Sequence, residues 1–208
     1  MTLEILTSDK VMTNRIQKAI NKQNYDQLVL AKKLKKLSIK LRDFIYEKFV
    51  TSETYASLAG GILRAEFGLD DQEVANLRYV IRELVGEVFP IIYNNGTILI
   101  NMSEKNIDFN TIGVYISESK RGSFVIHWLK WLMTEGINDV VPEYSIWLKP
   151  GAGRSEMAFM FKPKDGGSYS VDEQFSGTGP DNWVTRIFRD NIQNILDMIS
   201  KTMNNKTK

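Results

Sequence analysis

Apolar residues recur at three- and four-residue steps through most of the first ninety positions. From Asp9 to Phe49 the chain holds neither glycine nor proline, and its apolar positions follow helical spacing. The pattern predicts one long helix or two, with a weak point at Asn21–Asn24. We therefore expect a long helical start to the chain.

Two shorter helices are predicted next. Ser52 and Thr54 can cap a helix that ends at Gly68, because hydroxyl side chains accept hydrogen bonds from a first helical turn and glycine suits a helix end. Asp70 opens a capping-box-like start for a third helix, whose apolar stripe runs up to Gly86.

Strand patterns begin after Pro90. Ile91–Tyr93 and Thr97–Met102 flank Asn95-Gly96, a pair that favours the tight turn of a β-hairpin. Further β segments are predicted at Ile112–Ile116, Tyr144–Leu148, Met157–Phe161 and Ser168–Val171.

Two helices complete the second half of the chain. Ser123–Glu135 is apolar enough to predict a buried helix across the sheet, and Gly179-Pro180 opens a terminal helix with proline in its first turn. We predict an α+β fold: a long helical N-terminal region packed with a mixed, mainly antiparallel sheet, one crossing helix and a C-terminal helix. Residues 1–88 form the helical region and 89–208 the α+β core, in one integrated unit.

Composition removes several classes of function. The 208 residues include no cysteine and one histidine, which excludes disulfides, thiolate nucleophiles and multi-histidine metal centres. No run of eighteen apolar residues predicts a membrane helix, and Met1–Lys10 lacks the pattern of a secretory signal. We expect a soluble protein that is not exported by that route.

No local motif predicts a catalytic, cofactor or metal site. His127 falls inside the predicted helix Ser123–Glu135, where a satisfied, partly buried imidazole is the expected role. The glycines of 151–153 lack the Gly-Lys-Ser/Thr ending of a phosphate loop, and the acids of 70–73 suit a helix start. We predict a non-enzymatic protein with no cofactor and no metal.

Leu30–Arg42 is strongly basic. It reads LAKKLKKLSIKLR and holds no acid. The purely structural interpretation is a solvated helix face. The functional interpretations are contact with nucleic acid or with an acidic protein surface, and membrane binding ranks lowest. The interface candidates here are Lys32, Lys33, Lys35, Lys36, Lys40 and Arg42.

Further interface candidates come from a loop and a tryptophan. Lys149–Glu156 contains a proline and two glycines between two predicted strands, so it should protrude as a contact loop through Gly151, Gly153 and Arg154. The tryptophans occupy apolar positions typical of a core, but Trp183, at the start of the terminal helix, should keep one face available to a partner.

Three strings resemble a known protein family. They are Leu58–Leu69 (LAGGILRAEFGL), the strand pair flanking Gly151–Met157, and Phe175–Arg186. Together with the order of the elements between Leu28 and Met203, they resemble the tail-completion and head–tail joining (neck) proteins of tailed bacteriophages.

The resemblance implies a structural role without enzyme activity. Copies of such a protein associate as a ring between the head and the tail tube, which implies a virion location after assembly in the host cytoplasm. Its partners would be copies of itself, head-completion or connector proteins, and tail-tube or tail-terminator proteins, with passive contact with DNA and none with membrane. The alternative from the residues alone is a nucleic-acid-binding accessory protein that uses Leu30–Arg42.

Overall fold

The computed structural model describes residues 2–6, 27–88, 91–94, 97–101, 107–119, 122–138, 141–153 and 155–204. The chain has the α+β fold that the sequence predicts. Its helices are α1 (Gln27–Val50), α2 (Glu53–Gly60), α3 (Ile62–Phe67), α4 (Asp71–Val88), α5 (Trp128–Lys130), which continues as the π-helical turn Trp131–Glu135, and α6 (Trp183–Asn204). Its strands are β1 (Thr2–Leu6), β2 (Ile91–Asn94), β3 (Thr97–Asn101), β4 (Tyr115–Ser119), β5 (Gly122–Ile126), β6 (Val141–Pro142), β7 (Ser145–Leu148), β8 (Ala158–Phe161) and β9 (Ser168–Tyr169).

The described strands form four small sheets, whereas we expected a single mixed one. β3 lies between β1, to which it is parallel, and β2, to which it is antiparallel. The pairs β4–β5, β6–β9 and β7–β8 are antiparallel. The strands are two to five residues long, and most of them pair with a strand that is near in sequence. Their ladders are therefore completed locally and do not extend into one sheet.

The predicted helical region 1–88 begins with a strand. Thr2–Leu6 pairs in parallel with Thr97–Asn101. Its sequence alternates polar Thr2 and Glu4 with apolar Leu3 and Ile5, which is the two-residue period of a strand. The predicted helix between Asp9 and residue 26, including the weak point at Asn21–Asn24, lies outside the described residues.

The second predicted helix is divided in two at Gly61. Ser52 caps α2, since its Oγ accepts a hydrogen bond from the Tyr55 backbone N–H at 3.2 Å. At Gly61 a Cβ atom would lie 2.8 Å from the Ser57 Cα, so the break requires glycine. Gly68 ends α3 in the left-handed conformation, and the Asp70 carboxylate caps α4 by accepting from the Glu73 N–H at 2.8 Å.

The predicted helix Ser123–Glu135 is helical only in its second half. Gly122–Ile126 is strand β5, paired with Tyr115–Ser119, so β4 also begins later than the predicted strand Ile112–Ile116. Ile112 is buried just before β4. The β-hairpin satisfies the backbone hydrogen bonds of both segments. This pairing prevails over the helix that the apolar run favoured.

The terminal helix begins three residues later than Pro180. Asn182 is fully buried and caps the helix: its Oδ1 accepts from the Thr185 N–H at 3.1 Å, and the Thr185 hydroxyl accepts from the Asn182 N–H at 2.7 Å. This reciprocal cap explains why α6 starts at Trp183.

The core is built on the antiparallel pair α1 and α6. Lys33 near the start of α1 contacts Met203 at the end of α6, and Phe49 at the end of α1 contacts Trp183 at the start of α6. One apolar cluster joins residues from both halves of the chain. Among the described residues, we find no helix with the length and apolarity needed to cross a bilayer. The α1 residues of the cluster are Leu30, Leu34, Leu37, Leu41, Ile45 and Phe49.

Candidate interaction surfaces

Five of the six cations predicted on α1 share one exposed side of the helix. Leucines at three- and four-residue steps turn the opposite side into the core. Ile39 lies in the middle of the exposed side and is 55% exposed, and Asp43 follows it one turn later. No ion pair among the described residues involves these cations. We call this side the basic face: Lys32, Lys35, Lys36, Lys40 and Arg42.

Lys33 does not belong to the basic face, which corrects its place among the interface candidates. Its side chain is 6% exposed, and its Nζ donates a hydrogen bond to the Met203 carbonyl oxygen at 2.8 Å. A cation at the carboxyl end of α6 neutralises the negative end of the helix dipole. Lys33 therefore stabilises the α1–α6 pair from inside.

Trp183 is also buried, so the expectation that one face stays available to a partner is wrong. It is 2% exposed, its ring meets Phe49 edge-on at 5.0 Å between centroids, and its Nε1 donates to the Ser52 Oγ at 3.1 Å. The hydroxyl that caps α2 thus also satisfies the indole, and Trp183 ties α6 to the α1–α2 corner.

The loop between β7 and β8 is closed by its own backbone. The Lys149 N–H donates to the Met157 carbonyl at 2.8 Å, and the Gly151 N–H to the Glu156 carbonyl at 2.7 Å. Gly151 and Gly153 have φ near +74° and +71°, the left-handed region that favours glycine. Gly151 and Gly153 are both exposed, but a Cβ on Gly151 would meet open space, whereas one on Gly153 would collide with the Ala158 carbonyl oxygen. Arg154 lies outside the described residues.

Three aromatic side chains on the β7–β8 hairpin form a cluster that sequence analysis missed. Trp147 is paired with Phe159 across the ladder, and Phe161 lies on the same face. The Trp147 ring centroid is 5.6 Å from that of Phe159 and 6.2 Å from that of Phe161. Trp147 is nevertheless 57% exposed. We call Trp147, Phe159 and Phe161 the aromatic hairpin face.

The other face of the hairpin borders an apolar groove. Leu148 and Met157 line it from the hairpin, and Gly61, Ile62 and Ala65 line it from the start of α3, around about 420 Å³. Ile62 and Leu148 are both exposed. Apolar surface is thus open on both sides of β7–β8, which is typical of an interaction site.

A second recess lies at the start of α6 and is polar. Its walls include Ile137, Glu173, Asp181 and Arg186, and it encloses about 440 Å³. Hydrogen bonds from the Arg186 guanidinium lower the pKa of Asp181, so this carboxylate stays ionised. The pocket is lined by two carboxylates, Glu173 and Asp181, and Asp181 forms ion pairs with Arg186 and Arg189, so the recess carries charges of both signs.

A carboxyl–phenol pair lies between α3 and β9. The Tyr169 hydroxyl donates to the Glu66 Oε2 at 3.3 Å. The pKa of Glu66 is raised to about 7. Burial is the main cause, the hydrogen bond from Tyr169 opposes it, and the negative charge of Asp172 adds a smaller increase. Burial and the nearby carboxyl also raise the pKa of Tyr169. A carboxyl group and a phenol do not form a nucleophile with its general base, so we assign the Glu66–Tyr169 pair to packing and not to catalysis.

His127 is held by the backbone, as expected, although it stands between β5 and α5 and not inside a helix. Its Nδ1 lies 2.8 Å from the Phe109 carbonyl oxygen, which only accepts, so Nδ1 carries the proton. Within the described ranges, no group of three or more histidines or acids is placed to hold a metal ion.

Comparison with protein-family models, with curated proteins and with solved structures finds no match to this chain. The resemblance to phage neck proteins therefore stays a prediction, and the surfaces described above are the structural basis for a functional proposal.

Proposed function

We propose that this chain is a non-enzymatic structural protein of the phage neck or tail end, which forms a ring and joins or completes the tail at the head–tail interface. The observation that carries the proposal is the aromatic hairpin face. Trp147, Phe159 and Phe161 lie in contact with one another on a hairpin, and the largest of them is mostly exposed. Clustered aromatic residues are the usual anchors of protein–protein interfaces.

The hairpin is well built to present this cluster. Its ladder joins four residue pairs, and its loop adds two further backbone bonds, so the aromatic rings are held in place before any partner arrives. Pre-ordered anchors lose little conformational entropy on binding. We assign the hairpin to docking on a neighbouring connector or tail protein.

The test compares two exposed aromatic residues. Heads and tails from a phage that lacks this chain are mixed with the purified protein, and joined particles are counted by electron microscopy. Trp147→Ser should weaken docking by roughly thirtyfold or more, the loss expected of an anchor residue. Tyr79→Ser is the matched control, since Tyr79 is 65% exposed on α4, an element that contributes nothing to the aromatic hairpin face.

Two outcomes contradict the proposal. One is full joining by the Trp147→Ser protein. The other is a gene for this chain that lies apart from portal and tail-tube genes and whose loss leaves heads and tails joined.

A second candidate function, a nucleic-acid-binding accessory protein, is supported by the exposure of the basic face. Five cations along one helix side suit the phosphates of duplex DNA. This candidate predicts retention of duplex DNA in a gel shift, with a steep loss as salt rises. Retention that does not depend on Lys32, Lys35 and Lys36 would count against it.

A further inference from the structure

The boundary between α1 and α4 holds two arginine side chains that contact tyrosines. The Arg82 guanidinium lies over the Tyr46 ring, with 5.0 Å between its central carbon and the ring centroid. The Arg78 side chain, one turn earlier on α4, forms a hydrogen bond with the Tyr55 side chain on α2. Both arginines are exposed, and neither forms an ion pair with another described residue. Their charges are therefore open to a partner.

Two cations of the basic face extend this boundary along α1. Lys35, Arg42 and Tyr46 follow one another at steps of seven and four residues, which places them on one side of the helix. Because Arg82 lies over Tyr46, this is the side of α1 that borders α4. We call Lys35, Arg42, Arg78 and Arg82 the cationic seam.

The acids beside the seam lie further round the two helices. One residue turns an α-helix by about 100°, so Glu47 lies roughly 100° from Tyr46, and Glu83 roughly 100° from Arg82. Asp43 lies about 60° from Tyr46, in the same direction as Glu47. The buried residues of each helix lie in the opposite direction. The cations of the seam therefore stand between the buried stripes and these acids, at the boundary of the two helices.

We infer that the cationic seam binds the phosphate backbone of a nucleic acid. Such binding needs neither a ring nor a joined tail, so it is independent of the proposed function, and it adds α4 to the basic face. Lys35 and Tyr46 are eleven residues apart, which is roughly 16 Å along α1 and spans several nucleotides of a strand that rises about 3.4 Å for each. An arginine side chain can donate two parallel hydrogen bonds to a phosphate. Arginines already held by aromatic side chains lose less freedom when they do so.

A nucleic acid fits the seam better than an acidic protein does. Protein partners are usually anchored by clustered aromatic and apolar side chains. On the described parts of α1 and α4, the exposed large apolar side chains are Ile39 and Tyr79, one on each helix, whereas the aromatic cluster lies on the β7–β8 hairpin. The seam offers a line of cations, which is what a phosphate backbone requires.

A gel shift of the full chain with a random-sequence DNA duplex, repeated over a range of salt, tests the seam. Arg78→Gln/Arg82→Gln removes two charges that the basic face does not contain. This variant should bind about tenfold more weakly at low salt, and the slope of log affinity against log salt should fall by about two, or about one for each lost phosphate contact. Lys149→Gln/Lys164→Gln removes the same charge from exposed positions around the β7–β8 hairpin and should bind like the wild type.

Lys35→Gln/Arg42→Gln, on the α1 side of the seam, should show the same loss as the α4 pair. Circular dichroism confirms folding of every variant. The inference is overturned by a wild type that does not retain DNA at low salt, by an unchanged salt slope in either seam variant, or by an equal loss in the hairpin control. It is also overturned if polyglutamate displaces the DNA at equal charge concentration, since the seam would then suit an acidic protein equally well. None of these results bears on head–tail joining, which Trp147→Ser tests separately.

Discussion

At the residue scale, two ionisable groups, the buried Lys33 and the half-buried Glu66, have opposite environments. The Nζ of Lys33 donates a hydrogen bond to the Met203 carbonyl oxygen at the end of α6, where the helix dipole favours a cation. Glu66 faces the Tyr169 hydroxyl and the negative Asp172, and burial raises its pKa to about 7. The Glu66 carboxyl is thus protonated in the folded chain at pH values where it ionises in the unfolded chain.

The Glu66→Gln variant should lose part of the pH dependence of folding. Folded Glu66 keeps its proton up to pH of about 7, whereas its ordinary pKa is 4.5, so its contribution to the free energy of unfolding falls as pH rises between these values. Glutamine is neutral throughout. The variant should therefore gain roughly 1 kcal/mol over the wild type at pH 8, a figure discounted for partial exposure, and little at pH 4.

Urea unfolding at the two pH values measures this difference. Glu83→Gln, on the exposed side of α4, is the control and should follow the wild type at both. Equal pH slopes for wild type and Glu66→Gln would show that the carboxyl is not held in its neutral form.

The tryptophans show what the sequence cannot resolve at this scale. Trp147 and Trp183 both occupy apolar positions of a periodic element, and both patterns predict burial. Trp183 finds Phe49 and the Ser52 hydroxyl, which lie more than 130 residues earlier. The ring contacts that the described residues give Trp147 are with Phe159 and Phe161 of its own hairpin. Whether each tryptophan is exposed depends on a packing partner elsewhere in the chain, and the local sequence pattern does not reveal that partner.

At the element scale, the β7–β8 loop depends on two glycines for different reasons. Both have positive φ, but a Cβ on Gly151 meets open space, whereas one on Gly153 would lie 1.7 Å from the Ala158 carbonyl oxygen. Gly151→Ala should therefore cost only the backbone strain, about 1 kcal/mol. Gly153→Ala should cost more and displace β8.

Thermal unfolding and the fluorescence of the tryptophans measure both effects. Gly151→Ala should keep the emission of the wild type, while Gly153→Ala should shift it because Trp147 loses its packing on Phe159. If the two variants are equally stable, the close approach of the loop to β8 is absent.

Sequence patterns predict elements well where local chemistry is decisive. The caps at Ser52 and Asp70, the stop at Gly68 and the hairpin strands on either side of residues 95–96 follow from side chains within a few positions. The segment Ser123–Glu135 fails because its first half pairs with β4, a partner that apolar periodicity does not reveal.

At the scale of the whole molecule, the two halves share one core. The buried stripe of α1 is covered by α4 from its own half and by α6 from the other half. Periodicity predicts that α1 buries a face, because the leucines fall on one side. It does not predict that the covering helix is the last one in the chain.

The fragment 1–88 should consequently fail to fold alone. Without α6, Phe49 loses Trp183, Lys33 loses the Met203 carbonyl, and the leucine stripe of α1 is partly open to water. Its unfolding in urea, followed by circular dichroism, should be broad and without a folded baseline. Adding a synthetic peptide of residues 179–204 should increase its helicity and sharpen the transition, whereas a peptide with Trp183→Ala should do so much less. Sharp cooperative unfolding of the fragment on its own would show that residues 1–88 are an independent domain and that the α1–α6 contact is only an interface between two domains.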